Sequence, residues 1–219
     1  MIGWQASILG TLYAVIMGFM LYTVWTNFQA AKINAEIEAN SLMNVYRLAR
    51  GLPPAGRDAI QKLARDYAFD MVSNEWPDMR HGEISPTGLQ ITEELWKTTL
   101  AIDARSPGEQ TALDHTIGAL SDMTEHRRIR QLQSKSRLPG ILWAVLILGG
   151  MLTVGSSCLF GIDNFKIQFL LVVALAFMTS LALVAIADLD RPFRGSVHVS
   201  SAGFELATQT MNGPSPSSK

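Results

Sequence analysis

The chain has 219 residues, 48% of them apolar, with 18 Lys plus Arg against 19 Asp plus Glu for a net charge of −1. That balance leaves no strongly basic face to hold nucleic acid, so nucleic-acid partners are excluded. A single cysteine, Cys158, excludes a disulfide framework and a cysteine-based metal cluster.

The first element is an apolar run from Ile8 to Trp25 without Lys, Arg, Asp or Glu. It is long enough to cross about 30 Å of hydrocarbon as a helix. A signal peptide is the competing reading, but Met1 to Ser7 has no basic residue and Phe28-Gln29-Ala30-Ala31 is a poor cleavage site. The run reads as an anchor. Ala35, Ala39, Leu42, Tyr46 and Ala49 continue beyond it at helical spacing with no intervening Pro or Gly. One helix is therefore predicted from the membrane to about Arg50, projecting about 35 Å beyond the bilayer.

Gly51-Leu52-Pro53-Pro54 ends that helix. Ile60, Leu63, Ala64, Tyr67 and Met71 form the stripe of a second one, opposed by Arg57, Lys62, Arg65, Asp66 and Asp70, until Trp76-Pro77 interrupts the pattern. Ser85-Pro86 and Ser106-Pro107 mark two further helix starts, and Glu109 adds a capping box to the second. Ile91, Leu95, Thr98 and Ile102 supply one buried face; Leu113, Ile117 and Leu120 supply the other. The segment from Phe28 to Pro139, with 14 basic and 15 acidic residues, reads as a four-helix soluble domain.

Two more apolar runs, Ile141 to Phe160 and Ile167 to Ala187, are separated only by Gly161 to Lys166 and must form a hairpin. Arg127, Arg128, Arg130, Lys135 and Arg137 precede it, and Arg191 and Arg194 follow it. By the positive-inside rule the soluble domain and the C-terminus lie in the cytoplasm. Ser196 to Ser200 is the longest strand-period stretch, and the Gly, Pro and Ser content of Asn212 to Lys219 predicts disorder.

The expected fold class is all-α: a multi-pass helical membrane protein with three transmembrane helices and a cytoplasmic helical bundle between the first and second. The expected partition is 1–27 N-terminal span, 28–139 cytoplasmic domain, 140–188 hairpin, 189–211 cytoplasmic C-terminal segment and 212–219 tail.

Chemical motifs are sparse. The sequence has no phosphate-cradling glycine loop, nucleophile elbow or His-Glu-x-x-His helix, and its four histidines, His81, His115, His126 and His198, are not at metal-ligand spacing. Glu36 with Glu38 and Glu93 with Glu94 point to different sides of a helix and read as solvated surface. No catalytic residue, metal or cofactor is expected, and an enzyme is disfavoured.

Inside the spans, Ser7, Thr11 and Gly18 share one face of the first, and Gly149, Thr153 and Ser156 one face of the second. Such stripes either pack helices closely or line a pore. Thr179 and Ser180 in the third span have the same two readings, and Cys158 reads as a small packing residue. Arg127, Arg128, Arg130, Lys135 and Arg137 have three readings: topology signal, contact with lipid headgroups, or the basic vestibule of an anion pathway. Asp188, Asp190 and Arg191 read as an anchor at the membrane edge, where Pro192 stops the helix.

Several segments together resemble the bacterial bestrophin-like membrane proteins, a family long filed as a domain of unknown function. They are Gly10-Thr11-Leu12-Tyr13-Ala14-Val15-Ile16-Met17-Gly18-Phe19, Glu38-Ala39-Asn40-Ser41-Leu42 with Tyr46-Arg47-Leu48-Ala49, Glu75-Trp76-Pro77, Leu138-Pro139 with Trp143, and Leu189-Asp190-Arg191-Pro192-Phe193-Arg194-Gly195. Their order covers nearly the whole chain. The resemblance implies a multi-pass protein of the bacterial inner membrane and, by analogy to bestrophins, a homo-oligomeric anion channel, pentameric by that analogy alone. The expected partners are the lipid bilayer, further copies of the chain and inorganic anions. Bestrophins have four spans and longer family members an additional N-terminal one, so this sequence is expected to be a truncated or shorter version. The alternative function is a non-conducting, membrane-tethered signalling or scaffolding module, suggested by the long helix leaving the first span.

Overall fold

The computed structural model describes residues 2–159 and 164–213, with side chains from Ser7 onward. Among them all regular secondary structure is helical, without a strand. Helix α1 spans Ile2–Leu48 and ends in a tight turn at Ala49–Gly51, with Leu52 extended before Pro53. Then come α2 (Pro54–Asp70), a wide π-helical turn (Met71–Glu75), α3 (Trp76–His81), α4 (Thr87–Leu100), α5 (Pro107–Lys135), α6 (Gly140–Cys158), α7 (Phe165–Leu189) and α8 (Ala202–Asn212). Three helices are long and apolar enough to cross a membrane: α1 from Ser7, α6 and α7. The protein is therefore an all-α, multi-pass membrane protein.

The chain forms two compact units. One comprises Met1–Gln29 and Ser136–Arg191, the other Ala30–Lys135 and Pro192–Lys219.

The first unit is the membrane-spanning one. Val24, Leu146 and Ile186, one from each span, form its buried core, with Met17, Met20, Trp143 and Leu183 packed around them. The Tyr13 hydroxyl donates to the Leu146 carbonyl at 3.0 Å. Gly149 and Gly150 make room for that ring, because a Cβ on Gly149 would fall 2.6 Å from Tyr13 Cδ2. Phe19, Tyr22, Leu170 and Phe177 stay exposed on the outer surface, which suits a solvent of acyl chains. Cys158 is also exposed, correcting its reading as a packing residue.

The second unit is a helical bundle. Ala31, Ala35, Ala39, Leu42 and Val45 line the buried face of α1, continued by Ala49 in the turn after it, and Ile60, Ala64 and Tyr67 line that of α2. Alanine lets the backbones approach closely, while each fully buried Leu or Ile contributes about 1.5–3 kcal/mol. On α4 the buried positions are Gly88, Thr92, Leu95 and Thr99, so only Leu95 of the expected face is fully enclosed. The capping box forms: Glu109 N–H donates to Ser106 Oγ at 3.2 Å and Ser106 N–H to Glu109 Oε2 at 3.0 Å.

Three expectations are corrected. Trp76-Pro77 does not break the helix: Pro77 has no N–H to bond back along the backbone, and the chain widens into the π turn and continues as α3. Glu38 and Asp70, expected on solvated faces, are buried. The stretch from Ser196 to Ser200 is irregular, in keeping with the expected all-α fold. Beyond it the chain forms α8, which buries Phe204, Ala207 and Met211, with Phe204 against the rings of Tyr67 and Trp76 at 6.2 and 5.3 Å. Asn212 is the last residue of α8, and the rest of the expected tail lies outside the described residues.

Candidate functional site

In the membrane unit, α1, α6 and α7 leave between them a cavity of about 750 Å³. Ser7, Gly10, Thr11 and Tyr13 line it from α1, Thr153, Ser156 and Ser157 from α6, and Thr179 from α7, among otherwise apolar neighbours. The helical repeat explains the alignment: three- and four-residue spacings put Ser7 with Thr11, and Thr153 with Ser156 and Ser157, on single faces. Four of these hydroxyls already donate to carbonyls of their own helix, Thr11 to Ser7 at 2.9 Å, Thr153 to Gly149 at 2.8 Å, and Ser156 and Ser157 to Thr153 at 2.8 and 3.0 Å. They present oxygen lone pairs to the cavity, and a hydroxyl must rotate before its proton can meet an anion. The remaining three sequence candidates are elsewhere, Ser180 being exposed on α7. Gly149 packs against Tyr13, and Gly18 faces open space beside a shallow apolar pocket formed with Leu21, Tyr22, Trp25 and Leu189.

The second arrangement lies inside the helical bundle. Arg130 Nε and Nη2 clasp the Glu38 carboxylate at 2.6 and 3.0 Å, and its Nη1 pairs with Glu75 at 2.9 Å. Arg127 Nη1 reaches the same Glu75 at 2.9 and 3.0 Å and donates to Tyr67 Oη at 3.1 Å. Tyr67 Oη in turn donates to Glu38 Oε1 at 2.6 Å. The Arg130 guanidinium stacks 5.1 Å from the Trp76 ring, and the sulfurs of Met71 and Met79 stand 3.3 and 3.2 Å from its Nη2 and Nη1. Glu38, Glu75 and Arg130 are fully buried and Arg127 nearly so. Formal charges in the quartet cancel.

Burial works against both guanidinium cations, but Glu38 and Glu75 outweigh it at Arg130, and Tyr67 and Glu75 at Arg127. Both arginines are held above their ordinary pKa, Arg130 well above. Burial first, and the Glu38 charge second, push the Tyr67 phenol upward, keeping it protonated as a donor. The π turn matters because it ends at Glu75 and aims that carboxylate at both arginines. A Cβ on Gly88 of α4 would come 2.8 Å from both Arg127 Nη1 and Met71 Cε, so only glycine fits beside the pairs.

This corrects the reading of the basic run. Arg127 and Arg130 are enclosed by protein, paired, and unavailable to headgroups or a vestibule. Arg128 and Lys135 are exposed, Arg128 pairing with Glu125 at 2.7 Å, and Arg137 is half-buried, donating to the Ser136 carbonyl at 2.7 Å. The missed residues, Glu38, Tyr67 and Glu75, have a sequence signal. Thr116, Leu120, Met123, Arg127 and Arg130 continue one helical stripe on α5, so the two arginines follow the core face and require buried acids opposite.

At the hairpin base, Asp190 Oδ1 accepts the Leu138 N–H at 2.8 Å, joining the entry of α6 to the end of α7. Asp188 accepts the Asp190 and Arg191 amides through its carbonyl, and the Arg191 side chain is exposed. Among the described residues no group of three His, Cys, Asp or Glu is placed to hold a metal ion.

Three membrane-spanning helices, a hydroxyl-bearing cavity between them and a helical bundle with a buried ionic core define a class of multi-pass helical membrane protein. The chain belongs to the bestrophin-like family, whose domain model matches residues 2–204. The crystal structure of a membrane protein matches with a TM-score of 0.76 at 14% identity, covering 96% of this chain and 87% of its own. That of a bacterial bestrophin homologue from Klebsiella pneumoniae, carrying a point mutation, matches with a TM-score of 0.72 at 14% identity, covering 97% and 88%. Identities this low show the shared fold alone. No curated protein matches the sequence.

Proposed function

We propose that this protein is a homo-oligomeric anion channel of the bacterial inner membrane, with residues 28–139 and the C-terminus in the cytoplasm. The observation that carries the reading is the cavity bearing Ser7, Thr11, Thr153, Ser156, Ser157 and Thr179 within the membrane-spanning unit of a bestrophin-like chain. Hydroxyls suit weakly held anions: they donate a hydrogen bond after a simple rotation and carry no charge that would trap the ion. Among the described residues the Ser7 and Thr179 hydroxyls donate no hydrogen bond, and they are the first donors available. Assembly around an axis would bring copies of this face together, and the pentameric number rests on analogy to bestrophins. Exposed Arg128 and Lys135 would then raise the local anion concentration at the cytoplasmic mouth.

The test is chloride flux from liposomes containing the purified oligomer, compared with the Thr11→Val/Ser156→Ala/Thr179→Val variant. Flux that falls several-fold while the oligomer persists supports the reading. A folded oligomer that passes no anion refutes it and favours the non-conducting scaffold, in which α1 serves as a tether between the two units.

A further inference from the structure

The connection between α7 and α8 is tied down along α3. Val199 N–H closes it onto the Pro192 carbonyl at 2.7 Å, Trp76 Nε1 donates to the Val199 carbonyl at 2.9 Å, and Phe193 meets the Trp76 ring edge-on at 5.9 Å. This fixes two basic side chains of the connection against α3. Arg80 Nη2 stands 2.6 Å from His198 Nε2, and since the guanidinium can only donate, Nε2 is the acceptor and the ring proton belongs on Nδ1. That Nδ1 is buried and has no partner. The Arg194 guanidinium packs against Gly82, where φ is 90° and a Cβ would collide with it, and its Nε is likewise buried and unpartnered.

Among the described residues no acceptor meets His198 Nδ1 or Arg194 Nε. The carbonyls at the end of α3 are already taken, Met79 by the Gly82 N–H at 3.1 Å and Asp78 by the Glu83 N–H at 3.0 Å. Among the described residues no carboxylate forms an ion pair with Arg80, Arg194 or His198, the side chains of Asp78 and Glu83 included. A buried N–H without an acceptor bears the full desolvation penalty of that group, and such groups signal a missing partner. Two guanidinium groups and an imidazole N–H call for a compact, doubly charged acceptor with several oxygens. Arg194 lies five residues past Leu189, the end of α7, so the chain places it no more than about 18 Å from the end of a membrane span.

We propose that Arg80, Arg194 and His198 form a binding site for a phosphate-type oxyanion, supplied by a lipid headgroup or as free phosphate. The site is independent of whether the protein conducts.

The test uses the full chain purified in a neutral, phosphate-free detergent, with the Arg80→Gln/Arg194→Gln variant and, as a charge-retaining control, Arg194→Lys. Inorganic phosphate is titrated while ¹⁵N-labelled His198 is followed by NMR, and phosphatidylglycerol retained from nanodiscs is counted by native mass spectrometry. The expected result is a shift of the His198 Nδ1–H resonance with phosphate, retained lipid, or both. At least a tenfold weakening is expected in the double variant and a smaller one in Arg194→Lys. Phosphate binding without retained lipid identifies the free anion, and retained lipid without phosphate binding identifies the headgroup. Wild-type protein showing neither, or a folded double variant binding as tightly as wild type, overturns the proposal.

Discussion

The Glu38–Arg130 pair illustrates how unequal the two sides of a buried charge are. With Coulomb attraction and desolvation nearly cancelling, the intact pair adds little net stability, but removing one partner strands the other in a low-dielectric interior. Glu38→Gln is expected to destabilise the protein by about 3–5 kcal/mol, read as a lowered denaturant midpoint in detergent. Adding Arg130→Met should cost less than the sum of the two single changes, because the orphaned charge is removed with it. Strictly additive losses would mean that the pair does not act as a unit. Gly88→Ala should cost about 1–3 kcal/mol, since the new methyl group presses on Arg127 and Met71. Tyr67 adds a dependence on pH. Its pKa is raised in the fold, so the stabilisation is complete below the ordinary phenol value of about 10 and is lost as pH rises above it, where the unfolded chain ionises first. Denaturant midpoints between pH 9 and 11 should fall more gently for Tyr67→Phe than for wild type.

At the scale of elements, two local devices have separable consequences. The Ser106–Glu109 box holds the start of α5, and its backbone hydrogen bonds from Ser106 and Arg105 lower the pKa of the Glu109 carboxyl. A depressed carboxyl stabilises above the ordinary glutamate value of about 4.3, and that contribution disappears as pH falls below it. Glu109→Gln should therefore match wild type in acid and trail it at neutral pH, a comparison available from thermal melts at pH 3.5 and 7. In the membrane unit, Gly149 and Gly150 set the distance between α1 and α6 through the Tyr13 ring. Gly149→Leu should force the helices apart, weaken the Tyr13 to Leu146 hydrogen bond and cost about 1–3 kcal/mol. The check is a drop in disulfide-trapping efficiency between cysteines placed at Gly10 and Thr153, which face each other across α1 and α6, in a Cys158→Ser background.

For the whole molecule, the proposed orientation follows from Lys and Arg near the span ends, and enclosure of Arg127 and Arg130 shifts that role toward Arg128, Lys135, Arg137 and Arg191. In intact cells carrying Cys158→Ser, an impermeant thiol reagent should label Lys166→Cys, in the hairpin connection, and leave Lys135→Cys untouched until the membrane is opened. Equal labelling of both would invalidate the orientation. The topology also ties the connection after α7 into the helical bundle through Phe193, Val199 and Phe204, so that unit is built from two segments far apart in sequence.

Sequence by itself determined the three membrane spans, the continuation of α1 beyond its span, the capping box and the bestrophin-like resemblance. Each depends on residues close in the chain or on composition over a window as long as the element. Only the tertiary structure decided which charges are solvated. Arg127, Arg128 and Arg130 are indistinguishable as a basic run, yet one faces water and two are buried, because Glu38 and Glu75 arrive from α1 and the π turn, 92 and 52 residues away. The helical α8 was equally hidden, since a short, Ser-flanked segment has weak helical preference alone and gains its stability by burying Phe204 against Tyr67 and Trp76.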